Sequence, residues 1–217
     1  MKNKLISPGW YQTLEFLGMI SFPILLFYII FTQINRWQSL SIIEISLALI
    51  GVWIFADLLS GFIHWGADTY GNEKTPILGK GLIHPFREHH EIPNKMTTYS
   101  FLYTNGSLYF GGTIILLTSY FFTSNILNLS VIFLSFWVSQ TNQIHKWAHL
   151  NKNKRGWKIR ALYKTKLIIN PETHQKHHDG KFNTSYCITS GICNPILDRI
   201  NFWRKLENFI SRLNYLK

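Results

Sequence analysis

The sequence is poor in cysteine and in acidic residues, and each shortage argues against a class of protein. Its two cysteines, Cys187 and Cys193, form no CxxC pair and no disulfide framework, so a reduced, cytosol-facing location is expected. Acidic residues number 11 against 22 lysines and arginines, which leaves a basic chain with few oxygen ligands for Mg²⁺ or Ca²⁺. No motif for nucleic acid, flavin, haem or an iron–sulfur cluster accompanies the charge. We therefore expect no nucleic-acid partner.

Long apolar runs are abundant, and they predict an all-α, multi-pass membrane protein. A helix that crosses a bilayer needs about 20 mostly apolar residues. The first run follows Lys2 and Lys4 as in a signal peptide, but no small-residue cleavage site comes after it, so we expect it to be retained. The chain is expected to form one domain, 1–217, with a loop at 65–106 and a C-terminal region at 146–217 outside the membrane. The four predicted spans are 14–34, 41–64, 107–124 and 126–145.

The basic residues predict the orientation of these spans. With four spans, both termini and the loop 65–106 share one side, and every lysine and arginine except Arg36 falls on that side. Cytoplasmic segments near spans carry the excess of these residues. The termini are therefore expected in the cytoplasm, at the inner membrane of a bacterium or the endoplasmic reticulum of a eukaryote. All nine histidines fall on the same side.

The C-terminal region predicts one more helix, which is amphipathic. Asn194 is a favourable N-cap and Pro195 suits the first helical position. Apolar residues from Ile196 to Leu213 recur at helical spacing, with charged residues between them. Such a helix either lies in the membrane interface or packs on the cytoplasmic region, and the pattern favours neither.

Histidine is abundant, and neutral imidazole is the commonest metal ligand among side chains. His145 and His149 share a helix face at spacing i, i+4, and a helical turn would aim His174, His177 and His178 in one direction. Any one of these groups alone could be structural, but their convergence on one membrane face indicates a metal centre. The other members are His64 at the end of the second span and His84, His89 and His90 in the stretch HPFREHH.

The end of the second span adds two carboxylates to the histidines. Asp57, Gly61, His64 and Asp68 are spaced by 4, 3 and 4 residues, which keeps them on one helix face. A metal-bound histidine usually donates its second ring N–H to a carboxylate or a carbonyl. Either aspartate could therefore orient a histidine or bind metal itself. The alternative for Asp57 is an interfacial side chain solvated by headgroups.

The number of histidines exceeds what one metal ion uses. One zinc ion takes three or four ligands, so two ions fit better, and a nitrogen-rich set suits Fe, Zn or Cu. Lys146 follows His145, so no HExxH motif of a zinc protease is present. A membrane oxygenase or desaturase acting on a lipid chain would need such a site. A metal transporter is the alternative from another class, although transport sites lie near mid-span.

Six motifs stand in collinear order over about residues 56–209. They are ADLLSGFIHWGADTYG (56–71), PFREHH (85–90), TNQIHKWAH (141–149), HQKHH (174–178), SYCITSG (185–191) and NPILDRINFWRKLE (194–207). Together they resemble the lipid desaturase family, which includes plasmanylethanolamine desaturases, bacterial light-signalling relatives and a plant plastid phosphatidylglycerol palmitate desaturase. The stretches HWGADTYG, FREHH and TNQIHKW resemble its vinyl-ether-forming branch most.

The resemblance implies a di-iron site that uses O2 and two external electrons. His84 matches the family less firmly and stays outside the implied ligand set. Like Asp57 and Asp68, it remains a supporting group or a possible ligand. Eight histidines match the family motifs, and these are the implied metal ligands and catalytic residues: His64, His89, His90, His145, His149, His174, His177 and His178.

The implied substrate is a plasmanyl phospholipid of the membrane, and the implied product is its vinyl ether, a plasmalogen. An acyl-chain desaturase or a hydroxylase with the same site is the alternative within the enzyme class. The electrons would come from a cytochrome b5-like or ferredoxin-like protein, which the basic residues from Lys152 to Arg160 could dock. The same residues also serve orientation and headgroup contact. The sequence does not indicate the oligomeric state.

Overall fold

A computed structural model describes residues 9–215, and over this range the chain contains helices and no strand. Lys2 and Lys4 of the predicted N-terminal pattern and Lys217 lie outside the described residues. The all-α prediction is thereby confirmed for the described part. Within residues 9–215 the nine α-helices are α1 Gly9–Trp37, α2 Ile42–Thr69, α3 His84–Glu91, α4 Phe101–Thr118, α5 Asn125–Ala148, α6 Trp157–Thr165, α7 Pro171–His178, α8 Asn194–Arg199 and α9 Phe202–Tyr215.

Side-chain caps explain where several helices begin. Ser41 and Glu44 form a capping box at the start of α2, and the Ser100 hydroxyl accepts a bond from the backbone N–H of Tyr103 at the start of α4 (3.1 Å). Asn170 caps α7 by accepting from the N–H of Thr173 at 2.7 Å. Such caps contribute about 1 kcal/mol each.

Two helices, α1 and α2, are long and apolar enough to cross a membrane among the described residues. Helices α4 and α5 lie where the third and fourth spans are predicted, but they are shorter or more polar, and α5 carries Gln140, Asn142 and Gln143. The helical membrane character is supported, and the count of four spans stays a prediction. The predicted loop 65–106 contains α3 and two short helical turns, Gly79–Ile83 and Pro93–Thr98.

The long helices pack in the order α1, α4, α5, α2. Helices α1 and α4 run parallel, since the Ser21 hydroxyl lies 3.2 Å from that of Thr113 and Gly18 lies against Phe110. Helix α5 returns in the opposite direction, and Asn142 donates to the carbonyl of Thr104 at 2.9 Å. One bundle end therefore collects the start of α4 and the ends of α2 and α5, where the histidines lie.

Arg36, the one basic residue on the predicted opposite side, closes the other end of the bundle. Its guanidinium donates to the Asn125 side chain at 3.2 Å and to Gln33 at 3.0 Å. It also donates to the carbonyls of Phe122 and Thr123, each at 2.9 Å. Arg36 thus caps the turn between α4 and α5, which gives this exception to the charge pattern a structural role.

The prediction of a single C-terminal helix is wrong. The chain forms two helices, α8 and α9, which are separated by a break at Asn201, whose φ is 52°. Asn194 does not cap α8; its amide bonds both backbone groups of Cys187, at 2.9 Å each. Trp203 is 2% exposed and packs on Trp65. The pair of helices therefore packs on the end of α2, although the side chain of Phe209 stays exposed.

Candidate metal centre

Four helices bring the eight candidate histidines into one cluster. Helix α2 supplies His64 in its last turns, and α5 supplies His145 and, at its C-cap, His149. Their ring centroids lie within 4.4–6.4 Å of neighbouring histidine rings. The structure therefore brings together all the histidines that the motifs singled out except His84. The remaining members are His89 and His90 from α3 and His174, His177 and His178 from α7.

The first group of ligand atoms, here called the nitrogen group, consists of His89, His149, His174 and His178, whose ligand nitrogens all lie within 4.8 Å of one another. The Nε2 atom of His174 is 2.9 Å from that of His149 and 3.1 Å from that of His178. His145 joins the group, because its Nε2 lies 3.0 Å from Nε2 of His174 and 3.2 Å from Nε2 of His149.

The second group, here called the mixed group, consists of His64, Asp68, His90 and His177. The Oδ2 atom of Asp68 lies 3.3 Å from Nε2 of His64 and 3.5 Å from Nε2 of both His90 and His177. The Nε2 atoms of His177 and His90 are 3.0 Å apart. One carboxylate therefore faces three imidazoles, with its side chain 7% exposed.

The facing nitrogens fit metal ions better than they fit hydrogen bonds. A neutral imidazole has one donor and one acceptor nitrogen, so three Nε2 atoms about 3 Å apart cannot all be paired by protons. Among the described residues, Nε2 of His64 and of His89 and both oxygens of Asp68 are buried without a hydrogen-bond partner. Two nitrogens bound at about 2.1 Å to one ion at a right angle are about 3.0 Å apart. Each group thus matches the spacing around one ion.

Burial keeps three of these histidines in the neutral form that metal ligands require. Burial and then the nearby histidines lower the pKa of His90 to about 3 and that of His149 to about 3. The same causes lower the pKa of His178 to about 4. At neutral pH these imidazoles therefore present lone pairs and not positive charges.

Backbone carbonyls fix the tautomers of two histidines in the mixed group. The Nδ1 atom of His64 lies 3.1 Å from the carbonyl oxygen of Tyr186, and Nδ1 of His177 lies 2.7 Å from that of Thr184. A carbonyl only accepts, so each Nδ1 carries the proton and each Nε2 faces the group. Sequence reasoning missed these partners, since a carbonyl leaves no side-chain signal; the stretch SYCITSG was the available hint.

Asp57 holds the same segment and contacts no histidine among the described residues. Its Oδ1 accepts from the N–H groups of Ser190 and Gly191 at 2.7 and 2.8 Å, and its Oδ2 accepts from that of Cys193 at 3.0 Å. Its neighbour Ser60 accepts from the N–H of Ile188 at 3.0 Å. The carboxylate thus anchors the segment to α2. Asp57 and Asp68 thus lie on one face of α2, as predicted, but the two carboxylates have different partners.

His84 points away from both groups. Its Nδ1 lies 2.7 Å from a carboxylate oxygen of Glu73, and its Nε2 lies 3.8 Å from one of Glu88. Glu88 in turn accepts from Lys95 and Tyr99. His84 therefore lies apart from the other eight histidines, in agreement with its weaker match to the family motifs.

One cavity reaches the histidines from within the bundle. It has a volume of about 990 Å³, counting the part open to the exterior. Residues of α1, α2, α3, α4 and α5 line it, together with residues of the turn Gly79–Ile83. His89 and His145 line it at the metal end, whereas Ala56 and Val138 line it deeper in the bundle. Val138 lies about 10 Å below His145 along α5 at 1.5 Å per residue.

Comparisons with known proteins agree with this arrangement. The chain is 36% identical over 188 residues to plasmanylethanolamine desaturase 1 of Mus musculus, which covers 82% of this chain and 68% of the mouse protein. It is 36% identical over 176 residues to the plasmanylethanolamine desaturase of Myxococcus xanthus, covering 77% and 60%. It is 33% identical over 178 residues to the chloroplastic fatty acid desaturase 4 of Arabidopsis thaliana, covering 80% and 54%.

The chain therefore spans between 54% and 68% of the length of these three relatives. No solved structure matches it. Residues 53–217 match the family model described as a lipid desaturase domain. The relatives are desaturases, so the predicted enzyme class, an oxidoreductase, is confirmed. With three quarters of its length under that model, the chain belongs to the lipid desaturase family.

Proposed function

We propose that the protein forms the vinyl-ether double bond of a plasmalogen from a plasmanyl phospholipid. The observation that carries the proposal is the cavity, which extends from the nitrogen group, at His89 and His145, to apolar residues deeper in the bundle such as Ala56 and Val138. The similarity to the plasmanylethanolamine desaturases of mouse and Myxococcus supports an alkyl-ether substrate.

The proposed ligands are the eight histidines, together with Asp68. Two iron ions bound by the nitrogen and mixed groups would supply the activation of O2 that removal of hydrogen from an alkyl chain requires. The Asp68 carboxylate would balance positive charge in the mixed group, and the carbonyls of Thr184 and Tyr186 would hold His177 and His64 in the ligating orientation.

The overall reaction balances with an external reductant. One –CH2–CH2– unit, one O2, two electrons and two protons give –CH=CH– and two waters. O2 gains four electrons, two from the substrate carbons and two from the carrier. An acidic electron-transfer protein of the cytochrome b5 or ferredoxin kind would dock on the basic residues Lys152, Lys154, Lys158 and Arg160, beside Trp157, whose side chain is 70% exposed.

The layout of the cavity favours a double bond near the polar end of the lipid. Polar residues Tyr11, Lys80 and Tyr99 line the cavity with the histidines, whereas its deep part is lined by Ala56 and Val138. A lipid with its headgroup beside these polar residues would bring its first chain carbons to the histidines and leave the tail to the deep part. A desaturase acting in mid-chain would need a long apolar path between the headgroup and the metals.

The proposed topology has four spans with both termini in the cytoplasm. The bundle supports it, because the histidine end and the Arg36 end lie at opposite ends of four long helices. A periplasmic reporter fused to the C-terminus should stay inactive in a bacterial host. An active reporter would contradict this orientation.

Lipid mass spectrometry tests the reaction. Cells that express the protein and receive alkyl-ether phospholipid should accumulate the vinyl ether only when O2 is present. Double bonds in acyl chains alone would indicate an acyl desaturase, which the chloroplast relative makes the second candidate. A hydroxylated chain would indicate a hydroxylase, and metal uptake without lipid change would indicate a transporter.

A pair of variants tests the site. H145A should lose vinyl-ether formation and bind less iron, whereas H84A serves as a control because His84 faces Glu73 and not the cluster. Full turnover and full iron content in H145A would remove His145 from the ligand set.

A further inference from the structure

The chain between α7 and α8 runs beside α2, away from the metal end of the bundle. The carbonyl of Tyr186 lies 3.1 Å from Nδ1 of His64, and the N–H of Ile188 donates to the hydroxyl of Ser60 at 3.0 Å. Three N–H groups near the end of this stretch donate to Asp57, at 2.7, 2.8 and 3.0 Å. The contacts therefore step down α2 by seven residues, or about 10 Å at 1.5 Å per residue.

Helix α8 brings the chain back toward the metal end. The carboxylate of Asp198 accepts from the N–H of Ser185 at 3.0 Å and from its hydroxyl at 2.8 Å. The ring of Phe202 then packs edge-on against that of Phe62 on α2, with 5.8 Å between the centroids. Residues 185–200, here called the returning loop, thus enter and leave at the same end of α2.

The descending part of the returning loop is shielded by protein. Residues 185–189 are each at most 4% exposed, and Asp57 is 0% exposed. Non-helical backbone is tolerated at membrane depth only where protein buries it or it lines a cavity. A carboxylate within a span is costly unless it is paired, and the three N–H groups of the loop pair with this one. The returning loop therefore meets the conditions for a position inside a membrane.

The outer side of the returning loop is apolar and exposed. Ile192, Ile196 and Ile200, here called the isoleucine stripe, recur every four residues through α8 and the turn before it, and are 46%, 68% and 46% exposed. The thiol of Cys193 donates to the carbonyl of Ile54 at 3.7 Å, and the side chain of Ile54 is itself 40% exposed. The stripe therefore continues the exposed side of a helix that is long and apolar enough to cross a membrane.

A second stretch of the C-terminal region lies beside α2 at a similar level. The indole N–H of Trp53 donates to the carbonyl of Leu167 at 2.9 Å, and Trp53 lies four residues farther from the metal end than Asp57. The N–H of Ile169 donates to the carbonyl of Thr189 at 2.9 Å. Leu167, 46% exposed, thus adds an apolar side chain next to the returning loop while its carbonyl is paired.

We propose that the returning loop is a re-entrant membrane segment, and that the acyl chains of the leaflet on the metal-centre side cover its isoleucine stripe. If the second span ends at His64, as the sequence predicts, the turn lies about 10 Å inside a hydrocarbon core about 30 Å thick. Ile192 should then lie deepest and Ile200 nearest the headgroups. The sequence alone placed all of 146–217 outside the membrane. Nothing in this placement depends on which lipid the enzyme acts on.

Spin labels on the full-length protein in lipid nanodiscs test the placement. The background variant is C193S, which keeps a donor for the carbonyl of Ile54; Cys187 is buried, so the background itself should take no label. F55C, on the exposed side of α2, marks lipid, and K74C, in the loop after α2, marks water. The labelled positions in the stripe are I192C, I196C and I200C.

Each label is exposed to O2, which enters hydrocarbon, and to an ionic nickel chelate, which does not. The ratio of the two collision rates should be at least about tenfold higher at I192C than at K74C, because hydrocarbon excludes the ionic chelate. It should approach the ratio at F55C and should fall in the order I192C, I196C, I200C.

A second readout uses the thiol of the wild type and needs no substitution in the loop. Cys193 is half-buried at the turn. In nanodiscs it should react with an uncharged maleimide at least about tenfold faster than with a charged one of similar size, because the charged reagent stays in water. The added thiol of K74C should react with both reagents at similar rates. Peptide mass spectrometry separates Cys193 from Cys187.

Two results would overturn the proposal. Equal collision ratios at I192C and K74C, with a high ratio at F55C, would place the loop in water, as would equal reaction of Cys193 with both maleimides. Low collision rates with both O2 and the chelate would mean that protein covers the stripe. Dipolar broadening between the labels of two copies would then identify a second copy as the occupant.

Discussion

The nitrogen group and the mixed group differ in charge and in what holds their side chains. The nitrogen group is carried by the ends of α3, α5 and α7 and contains imidazoles alone. In the mixed group a carboxylate, Asp68, faces three imidazoles, and two of those are oriented by the carbonyls of Thr184 and Tyr186. The comparison teaches that two neighbouring candidate metal sites can be supported by different parts of the chain, helix ends for one and an extended segment for the other.

The difference also assigns electrostatic roles. A carboxylate lowers the net charge of a bound cation and favours the higher oxidation state of iron, whereas neutral imidazoles leave the charge unchanged. The cavity reaches the nitrogen group through His89 and contacts no member of the mixed group. We therefore expect the nitrogen group to face the substrate.

The largest effect should come from H174A, which sharpens the comparison by removing one group. The Nε2 atom of His174 faces those of His145, His149 and His178, so its loss should empty the nitrogen group. Vinyl-ether formation should fall at least about 100-fold, and iron should fall from two per chain toward one. Iron is measured by elemental analysis of purified protein, with H84A beside it. Two irons in H174A would contradict this ligand assignment.

A somewhat smaller effect is expected for D68N, which tests whether the carboxylate makes the groups different. Asparagine has the same shape but no charge, so the mixed group should bind iron more weakly, and turnover should fall about 10-fold to 100-fold. Titration of the metal-free protein with Fe²⁺ should then show one tight site and one weak site. Equal Fe²⁺ affinities in D68N and the wild type would show that the charge of Asp68 does not distinguish the two groups.

Sequence alone predicted much of the nitrogen group. His145 with His149, and His174 with His178, stand at i, i+4 on single helices, so helix geometry fixes them as pairs before any tertiary contact is known. The set of eight histidines came from the motif resemblance. The structure brings these eight together and places His84 apart from them. The division into two groups depends on how α3, α5 and α7 meet, which spacing does not specify.

The mixed group was less predictable, for physical reasons. Asp57 and Asp68 lie on one face of α2, and nothing in their spacing distinguishes them. What separates them is the extended segment after Thr184, whose N–H groups point at Asp57 and whose carbonyls point at histidines. Backbone groups of a non-helical segment leave no trace in a residue pattern. The break at Asn201 was not predicted for a similar reason, because the apolar periodicity of the sequence continues across it.

D57N should affect the mixed group alone, at a distance from the metals. Asp57 accepts three backbone N–H bonds from Ser190, Gly191 and Cys193, and an amide nitrogen cannot replace one oxygen as acceptor. We expect a loss of about 2 kcal/mol in unfolding free energy and a loosened segment after Thr184. Fe²⁺ affinity should drop for one site of two. A uniform loss in both sites would show that the segment supports both groups.

The smallest effect concerns acid and the metal-free protein. Burial and neighbouring histidines lower the pKa of His90 and His149 to about 3, below the unfolded value of about 6.5. The unfolded chain therefore binds more protons between about pH 6.5 and 3, so stability should be full above pH 6.5 and fall as the pH drops through this window. Since each group contributes one of these residues, H90A and H149A should each reduce the fall in Tm by a few degrees. Thermal scans at pH 7.5 and 5, on protein from which a chelator has removed metal, measure this fall in Tm. A Tm independent of pH would mean that both groups protonate without cost to stability.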